Sequence, residues 1–426
     1  MRNFTFKGLF LAGLFMVLGC LSIQAADYGL ITRQVTIKLE KAGTLPDKIG
    51  STKKYQITNL KIIGEINGTD LMFIRNMAGG IDYYDETGEG KLSVLDLSQA
   101  RIVVGGGPYF YYRYDVYYSR KLYVEENDVL GDYMFSGCSA LTSLTLPSSV
   151  TKIGNYAFEN CCGLTSMKIP SNVTEIGNSA FENCRGLTSM KIPSGVTKID
   201  VGAFYNCSGL TSLVIPSGVT MIGSGAFKNC SGLTSMKIPS GVTKIGVGAF
   251  SGCSGLTSLV ISSGAIGISA FENCSGLTSL IMSSGVTKIG EGAFKNCSGL
   301  TSLVIPSGVT EIWYYAFENC SGLTSIYVYA EQIYTSGLVA FKGCDKNNCK
   351  VYVPKGTYDY YIKYSDFRYF KNIEEFDATG IDNVITPFHA KEVSRYSING
   401  QRLSAPTKGL NIVKYSDGSV KKVAVQ

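Results

Sequence analysis

The sequence predicts a β-rich solenoid whose coil of short strands and tight turns repeats every 23 residues. Three observations carry this. The phrase Leu-Thr-Ser-Leu-x-Ile-Pro-Ser-Gly-Val-Thr-x-Ile-Gly-x-x-Ala-Phe-x-Asn-Cys-Ser-Gly recurs from about Gly131 to Cys344. Its leading residues, Leu141, Leu164, Leu187, Leu210, Leu233, Leu256, Leu277, Leu300 and Leu323, stand 23 apart except for 21 between Leu256 and Leu277. A fixed period in this range marks a chain made by stacking one supersecondary unit. Finally, no single unit buries its apolar residues alone, whereas stacked copies form a continuous core.

The unit Leu210 to Gly232 shows how each piece follows. Leu213 and Ile215 are two apart, which is strand periodicity with one face buried. Pro216 ends that strand because it has no N–H for a ladder. Gly218 opens a turn, Val219 and Ile222 form a second short strand, and Gly223 closes it. Ala226-Phe227 with Asn229 fits one short helical or tight turn. In the 21-residue unit, Ser262-Ser263-Gly264-Ala265-Ile266-Gly267 replaces the usual Pro-Ser-Gly-Val-Thr-x-Ile-Gly. That deletion is expected in the turn and second strand, with a kink there.

These residues resemble the BspA-like leucine-rich repeat family, whose pattern is Leu-x-x-Leu-x-Ile-Pro, Val-x-x-Ile-Gly and Ala-Phe-x-x-Cys. The resemblance implies a leucine-rich repeat solenoid, and a secreted or cell-surface role in adhesion to host or bacterial proteins.

Residues 1–25 read as a secretory leader. Arg2 and Lys7 supply the charged start, Leu9 to Leu18 the apolar core, and cleavage after Ala25 leaves Ala26-Asp27. A competing reading takes Val17-Leu18-Gly19-Cys20 as a lipoprotein box with a lipid anchor at Cys20. Either way the chain is exported, and no later stretch is long and apolar enough for a transmembrane helix. Removing the two leader cations lowers the net charge of +6 to +4, too little to argue nucleic-acid or membrane-surface binding.

Residues 26–130 read as an N-terminal cap. Val35 to Leu39 alternates as a strand, Leu60 to Gly64 and Thr69 to Met77 read as strand, capped turn and helix, and Leu92 to Leu97 as an early rung. Pro108 to Tyr123 is a tyrosine-rich insertion in which Tyr109, Tyr111, Tyr112 and Tyr114 form an aromatic patch, either for a ligand or as a hairpin packed on the cap. The solenoid proper spans 131–353, with Val351 to Pro354 as the last rung. A C-terminal cap follows over 354–378, where Tyr361, Tyr364, Phe367 and Phe370 recur at helical spacing as core. Residues 379–426 comprise a linker, Thr379 to Pro387, and a small β tail with Asp417-Gly418 as a hairpin turn. The tail resembles C-terminal segments of secreted proteins of Gram-negative anaerobes, some of which are sorting signals.

Catalytic chemistry has little to work with. His389 is the one histidine, and nothing places it beside the repeats. Cysteines 23 residues apart are not a zinc pattern, and no metal or cofactor is expected. Gly88-Glu89-Gly90-Lys91 lacks the Ser or Thr and the helix of a phosphate loop. Asn-Cys-Ser at Asn206, Asn229, Asn273, Asn296 and Asn319 is a by-product of the repeat in a half-buried turn. Of 13 cysteines, Cys138, Cys161, Cys184, Cys207, Cys230, Cys253, Cys274, Cys297, Cys320 and Cys344 share one slot, where parallel side chains disfavour bridges and a small buried thiol fits. Cys344 with Cys349 is the one pair spaced for a disulfide.

Surface remains. Columns of threonine (Thr165, Thr188, Thr211, Thr234) and serine face outward, beside a mixed column of Lys168, Lys191, Val214, Lys237, Val260, Ile281, Val304 and Tyr327. That column is the expected ligand face, basic first and apolar later. Its occupant is a protein or a glycan outside the cell. A display module for the sorting tail is the remaining alternative.

Overall fold

The structure, a computed structural model, describes residues 29–80, 89–113, 119–336, 339–378, 392–397, 401–405, 407–415 and 420–425. The leader with Cys20, Gly88, Tyr114, Tyr117, Tyr118, the Thr379 to Pro387 linker, His389 and the Asp417-Gly418 turn lie outside the described residues. Two compact units divide the chain: Met1–Val173 with Asn183–Leu187, and Thr174–Glu182 with Thr188–Gln426. Each is a β-solenoid of short parallel strands.

In the first unit, Val35–Lys38 pairs in parallel with Asn59–Ile66, that strand with Val94–Ile102, and Val94–Ile102 with Ser143–Thr145, which pairs with Ser166–Lys168. The capped turn and helix occur where the pattern places them. Helix Gly68–Met77 starts at Asn67, whose side chain accepts from Thr69 N–H at 3.1 Å. Asp70 carries more than a cap. Its buried carboxylate accepts from the backbone N–H of Asn67, Gly43 and Leu45 at 3.0, 2.6 and 2.9 Å, tying the helix to the preceding loop. From the same helix, fully buried Arg75 donates to the carbonyls of Tyr133 and Met134 at 2.9 and 3.1 Å and lies 4.5 Å from the Phe110 ring centroid. A short helix, Leu45–Ile49, was not foreshadowed by any pattern.

In the second unit most coils hold two strands on either side of a Pro-Ser-Gly-Val turn, as with Ser212–Val214 and Met221–Ile222, bridged by the bond from Val219 N–H to Pro216 O at 3.1 Å. Two coils lack the proline, carrying Ser262 and Ser283 instead, and there the two strands fuse into Ser258–Ile266 and Ser279–Ile289. Restoring a ladder N–H removes the strand stop. The 21-residue unit is fitted here. Partner offsets run 21 at Ile261↔Met282, 22 at Ser263↔Gly285 and 23 at Ala265↔Lys288, so two one-residue shifts absorb the deletion. The expected position of the deletion, at the turn, is where these shifts fall.

The buried slots repeat rung by rung. Phe181, Phe204, Phe227, Phe250, Phe271, Phe294, Phe317 and Phe341 form a stack with near-parallel rings and centroids 5.0 to 5.4 Å apart. Beside them each ladder thiol donates to the phenylalanine carbonyl of the preceding rung, for example Cys230 to Phe204 O at 3.1 Å and Cys253 to Phe227 O at 3.2 Å. The slot therefore requires a small buried donor, which the sequence showed only as smallness. Burial pushes the Cys138 thiol up to about 11 and those of Cys230 and Cys253 well above the ordinary value, which keeps them protonated and able to donate.

The coil turns with no helix, through backbone in the left-handed region. Asn229, Asn273, Asn296 and Asn319 have φ of 61°, 62°, 61° and 58°, and the slot is otherwise filled by glycine, as at Gly252 with φ 76°. Asparagine and glycine adopt this region most readily. The sequon asparagines are thus turn-formers. Their Nδ2 groups also bond along the column, Asn296 to Asn273 Oδ1 at 2.8 Å and Asn319 to Asn296 Oδ1 at 2.9 Å.

At the C-terminal end Lys350–Pro354 is followed by a further parallel strand, Asn372–Phe376, that the sequence reading missed. Helix Tyr358–Tyr364 ends at Ser365 and a 3₁₀ turn, Asp366–Tyr369, continues. That break explains one correction. Tyr361, Phe367 and Phe370 are buried as expected, but Tyr364 is 59% exposed, because the aromatic spacing spans two elements instead of one helix face. The tail folds as a four-stranded antiparallel sheet of Glu392–Ser397, Arg402–Leu403, Gly409–Tyr415 and Val420–Val425.

Two outcomes test this packing. Phe227→Ala leaves a gap between rings at 5.2 and 5.0 Å and is expected to cost about 3–5 kcal/mol; an unchanged denaturation curve would refute the stacked core. The ladder thiols are expected to be reduced. Alkylating the denatured, unreduced protein should label Cys207 to Cys320 fully by mass spectrometry, and finding them paired would overturn the donor role.

Candidate interaction surfaces

The strand face is built by the pleat. In each rung leucine, methionine or isoleucine points inward, so the residue directly before it and the residue directly after it face outward. In the first unit Lys61, Asp96, Thr145 and Lys168 occupy one register line, with Lys61 and Asp96 ion-paired at 3.0 Å and Lys168 exposed. In the second unit Lys191 pairs in register with Val214, Lys237 with Val260, Val260 with Ile281, and Val304 with Tyr327. Lys191 and Lys237 are exposed, Val214 is 71% exposed, and Val260, Ile281, Val304 and Tyr327 are half-buried. The line then runs beyond the residues expected from sequence. Tyr327 pairs with Tyr352, their rings stacked at 4.6 Å, and Tyr352 with Glu374. Phe376 meets Tyr327 and Tyr329 edge-on at 6.3 and 5.1 Å. Burial pushes the Tyr327 and Tyr329 hydroxyls up, so both remain neutral. Tyr352 belongs to the expected last rung, Val351 to Pro354, but the period that defines the outward column ends before it, and Phe376 lies further on still.

The threonine column faces solvent as expected, but its hydroxyls are engaged along the column. Thr211 donates to Thr188 O at 3.1 Å, Thr257 to Thr234 O at 2.9 Å and Thr324 to Thr301 O at 3.0 Å, an external ladder that reinforces the stacking.

The tyrosine-rich insertion is a hairpin of Phe110–Arg113 and Ser119–Leu122. Tyr109 does not belong to an exposed patch. It is 2% exposed and its hydroxyl donates to Asp132 O at 2.9 Å, because the residue before the hairpin is drawn under it. Tyr111 is half-buried beneath Lys121, and Tyr112 lies on the first hairpin strand. Phe110 stacks on Tyr133 at 5.3 Å and Tyr133 on Tyr156 at 4.8 Å, which docks the hairpin on the first rungs.

Cys344 and Cys349 are both free thiols, contrary to the expected disulfide. Cys344 continues the ladder by donating to Phe317 O at 3.2 Å, and its neighbour is buried separately. Among the described residues no cluster of His, Cys, Asp or Glu is arranged to hold a metal, and no helix is long and apolar enough to cross a membrane.

Residues 128–257 and 264–391 match the BspA type Leucine rich repeat region in six copies. The chain belongs to this family. Solved structures similar to it include a leucine-rich repeat protein from Bacteroides ovatus (21% identity, 83% of this chain and 97% of that chain, TM-score 0.40). Another is a leucine-rich repeat protein from Eubacterium ventriosum (22% identity, 75% and 91%, TM-score 0.39). A third is a leucine rich cell surface protein from Faecalibacterium prausnitzii (24% identity, 62% and 86%, TM-score 0.25). No curated protein matches the chain. Repeats of the BspA type present extended surfaces suited to protein interaction rather than enclosed catalytic sites.

One BspA-type rung departs from the others. Where neighbouring rungs read Ile-Gly-x-Gly or Ile-Gly-x-Ser, this one reads Ile312-Trp313-Tyr314-Tyr315. Trp313 donates Nε1–H to Glu311 at 2.8 Å, Glu311 pairs with Lys288 at 3.1 Å, and Lys288 stands 4.1 Å from the centroid of the Trp313 ring. Glu318 receives Lys295 at 2.7 Å and Lys342 at 3.1 Å, and both lysines lie over Tyr315 at 5.7 and 5.5 Å. The hydrogen bond from Trp313, then Lys288, holds the Glu311 carboxyl below its ordinary value, and Lys295 does the same for Glu318. The sequence shows this rung plainly as a break in period, yet it was passed over as one more copy.

A depressed carboxyl pKa contributes stability that is present above the unfolded value and is lost as pH falls through the folded one. Trp313 emission should therefore be constant down to about pH 5 and change only below the ordinary glutamate value of 4.5. A transition centred near neutrality would refute the carboxylate assignment.

Proposed function

We infer that this chain is an exported, cell-surface interaction protein that binds another protein through the strand face of its repeats. The observation that carries the reading is the apolar character of the outward register positions, Val214 beside Lys191, Val260 beside Ile281, and Val304 beside Tyr327 and Tyr352. The pleat requires only that these positions face outward. It does not require them to be apolar, and apolar side chains gathered on the outer face of a sheet mark interaction sites. Lys168 in the first unit, and Lys191 and Lys237 in the second, add exposed positive charge that steers an acidic partner. Export rests on the leader at 1–25, and a lipid anchor at Cys20 is the alternative route to the surface. The β tail serves as the sorting segment.

A glycan reading has one observation in its favour. Asn273, Ser275, Asn296, Ser298, Asn319 and Ser321 line an uncharged groove of about 450 Å³, rich in amides and hydroxyls.

The experiment immobilises the mature chain and measures binding to purified host matrix proteins, mucin glycans and bacterial polysaccharides. Replacing Ile281, Val304 and Tyr327 with serine is expected to speed dissociation of the protein ligand. Replacing Lys168, Lys191 and Lys237 with glutamate should slow association and change its salt dependence. The lysine variant should keep the thermal midpoint of the parent, whereas the serine variant, which removes half-buried side chains and the Tyr327–Tyr352 stack, is expected to lower it and is compared at a temperature where it is fully folded. Wild-type binding by both would remove the strand face from the function, and retention on polysaccharide alone would select the glycan groove.

A further inference from the structure

The Trp313 rung is costly to build, and its core does not need it. On every earlier rung of the second unit the counterpart of Tyr315 is small: Ser179, Gly202, Gly225, Gly248, Ser269 and Gly292, with φ between 50° and 64°. Tyr315 adopts φ 59° in the same slot, a conformation that is an outlier for a bulky side chain. Two residues earlier the position is glycine at Gly223, Gly246, Gly267 and Gly290, and a Cβ at Gly290 would lie 2.7 Å from Ile266 O. Trp313 takes that position. Local strain kept in a repeat that supplies its own relaxed alternative points to a role outside packing.

Tyrosine fills the left-handed slot in the first unit too, at Tyr133 and Tyr156, and there its use is visible. Those rings carry the Phe110 hairpin. At Tyr315 lysines flank the ring instead, and the outer aromatic surface is open. Tyr314 is 40% exposed, and Tyr334, on the next rung in register with Glu311, is 62% exposed. The ion pairs hold the aromatic group in place, which lowers the entropy lost on binding.

Among the ion-paired residues of the cluster the more exposed charge is positive, with Glu272 also acting on Lys295. Lys288, Lys295 and Lys342 expose 40%, 35% and 61% of their side chains, against 39% for Glu311 and 9% for Glu318. We propose that Trp313, Tyr314, Tyr315 and Tyr334, framed by these lysines, form a second binding site, for an acidic segment of a partner protein that carries apolar side chains. Tyrosine and tryptophan anchor such contacts, and the lysines select the sign of the partner's charge. This site is independent of the strand face, sharing none of its residues.

Trp313 is the chain's one tryptophan, so its emission reports this site alone. The probe is a displayed library of short random peptides lacking tryptophan, selected on the full chain. Enriched peptides are then synthesised and titrated against Trp313 emission. Peptides that move the emission are expected to combine Asp or Glu with Leu, Phe or Tyr, and to weaken as salt rises. Tyr315→Gly, the residue of the neighbouring rungs, should keep or raise the thermal midpoint while weakening those peptides about tenfold or more. Tyr334→Ser should weaken them with no change of midpoint. The proposal is overturned if no enriched peptide moves Trp313 emission, if those that do are basic or uncharged, or if Tyr315→Gly binds them as the parent does. A fall in midpoint on Tyr315→Gly would make the tyrosine a structural residue and overturn it as well.

Discussion

The buried side chains of the repeats pack on copies of themselves one rung away, and that constraint governs the rest of the solenoid. The bond from a cysteine thiol to the phenylalanine carbonyl of the preceding rung, set beside the phenylalanine stack, fixes both the spacing and the angle between coils. A thiol is small enough for the slot and is a donor only while protonated, a state that burial enforces. With the interior held this way, the outer threonine and asparagine columns fall into line and bond along the same axis. The backbone at the turns does likewise, with Gly225, Phe227 and Asn229 each donating to the next coil. Interior and exterior ladders support one register, and slipping one would break all of them.

Because stability is shared among identical contacts, exceptions carry the information. Serine in place of proline fuses two strands into one that runs without a break through the turn. Glycine in place of asparagine at Gly252 keeps the left-handed turn but removes one amide from the column. Tyrosine in place of glycine at Tyr315 keeps the turn under strain and adds an aromatic surface. Three substitutions in conserved geometry thus have three different results, set by which property of the slot they disturb.

Much of the solenoid was legible in the sequence because its signal is repeated. Phe227 alone is an apolar residue, whereas Phe204, Phe227 and Phe250 at one period define a core position. The strand, capped turn and helix of the N-terminal cap were also legible, since Asn67 and Asp70 sit where a capping box requires. What was not legible depends on contacts that no period encodes. Tyr109 reads as one of many surface tyrosines, and its burial follows from a hydroxyl reaching Asp132 O. Tyr364 fits a helical stripe, but the helix stops at Ser365 before the stripe is complete. Cys349 is near Cys344 in the chain, yet the latter thiol already has a carbonyl to bond. The candidate strand face was half legible. Val260 and Ile281 lie inside the period and were found, while Tyr352 and Phe376 lie beyond it.

The two single-residue shifts between Ser258–Ile266 and Ser279–Ile289 behave like a dislocation in a crystal. Two residues are missing from one layer, and the fault heals within that layer instead of passing to the next. Healing is confined to the proline-free turns, where the Ser283 hydroxyl donates to Ser262 O and the Ser263 hydroxyl to Ser240 O and Val242 O of the coil before. A coil with proline has a fixed turn and no such slack. An array of this kind can therefore gain or lose residues only at its soft layers, and the number and position of those layers decide how far its length can drift while the interior stays in step.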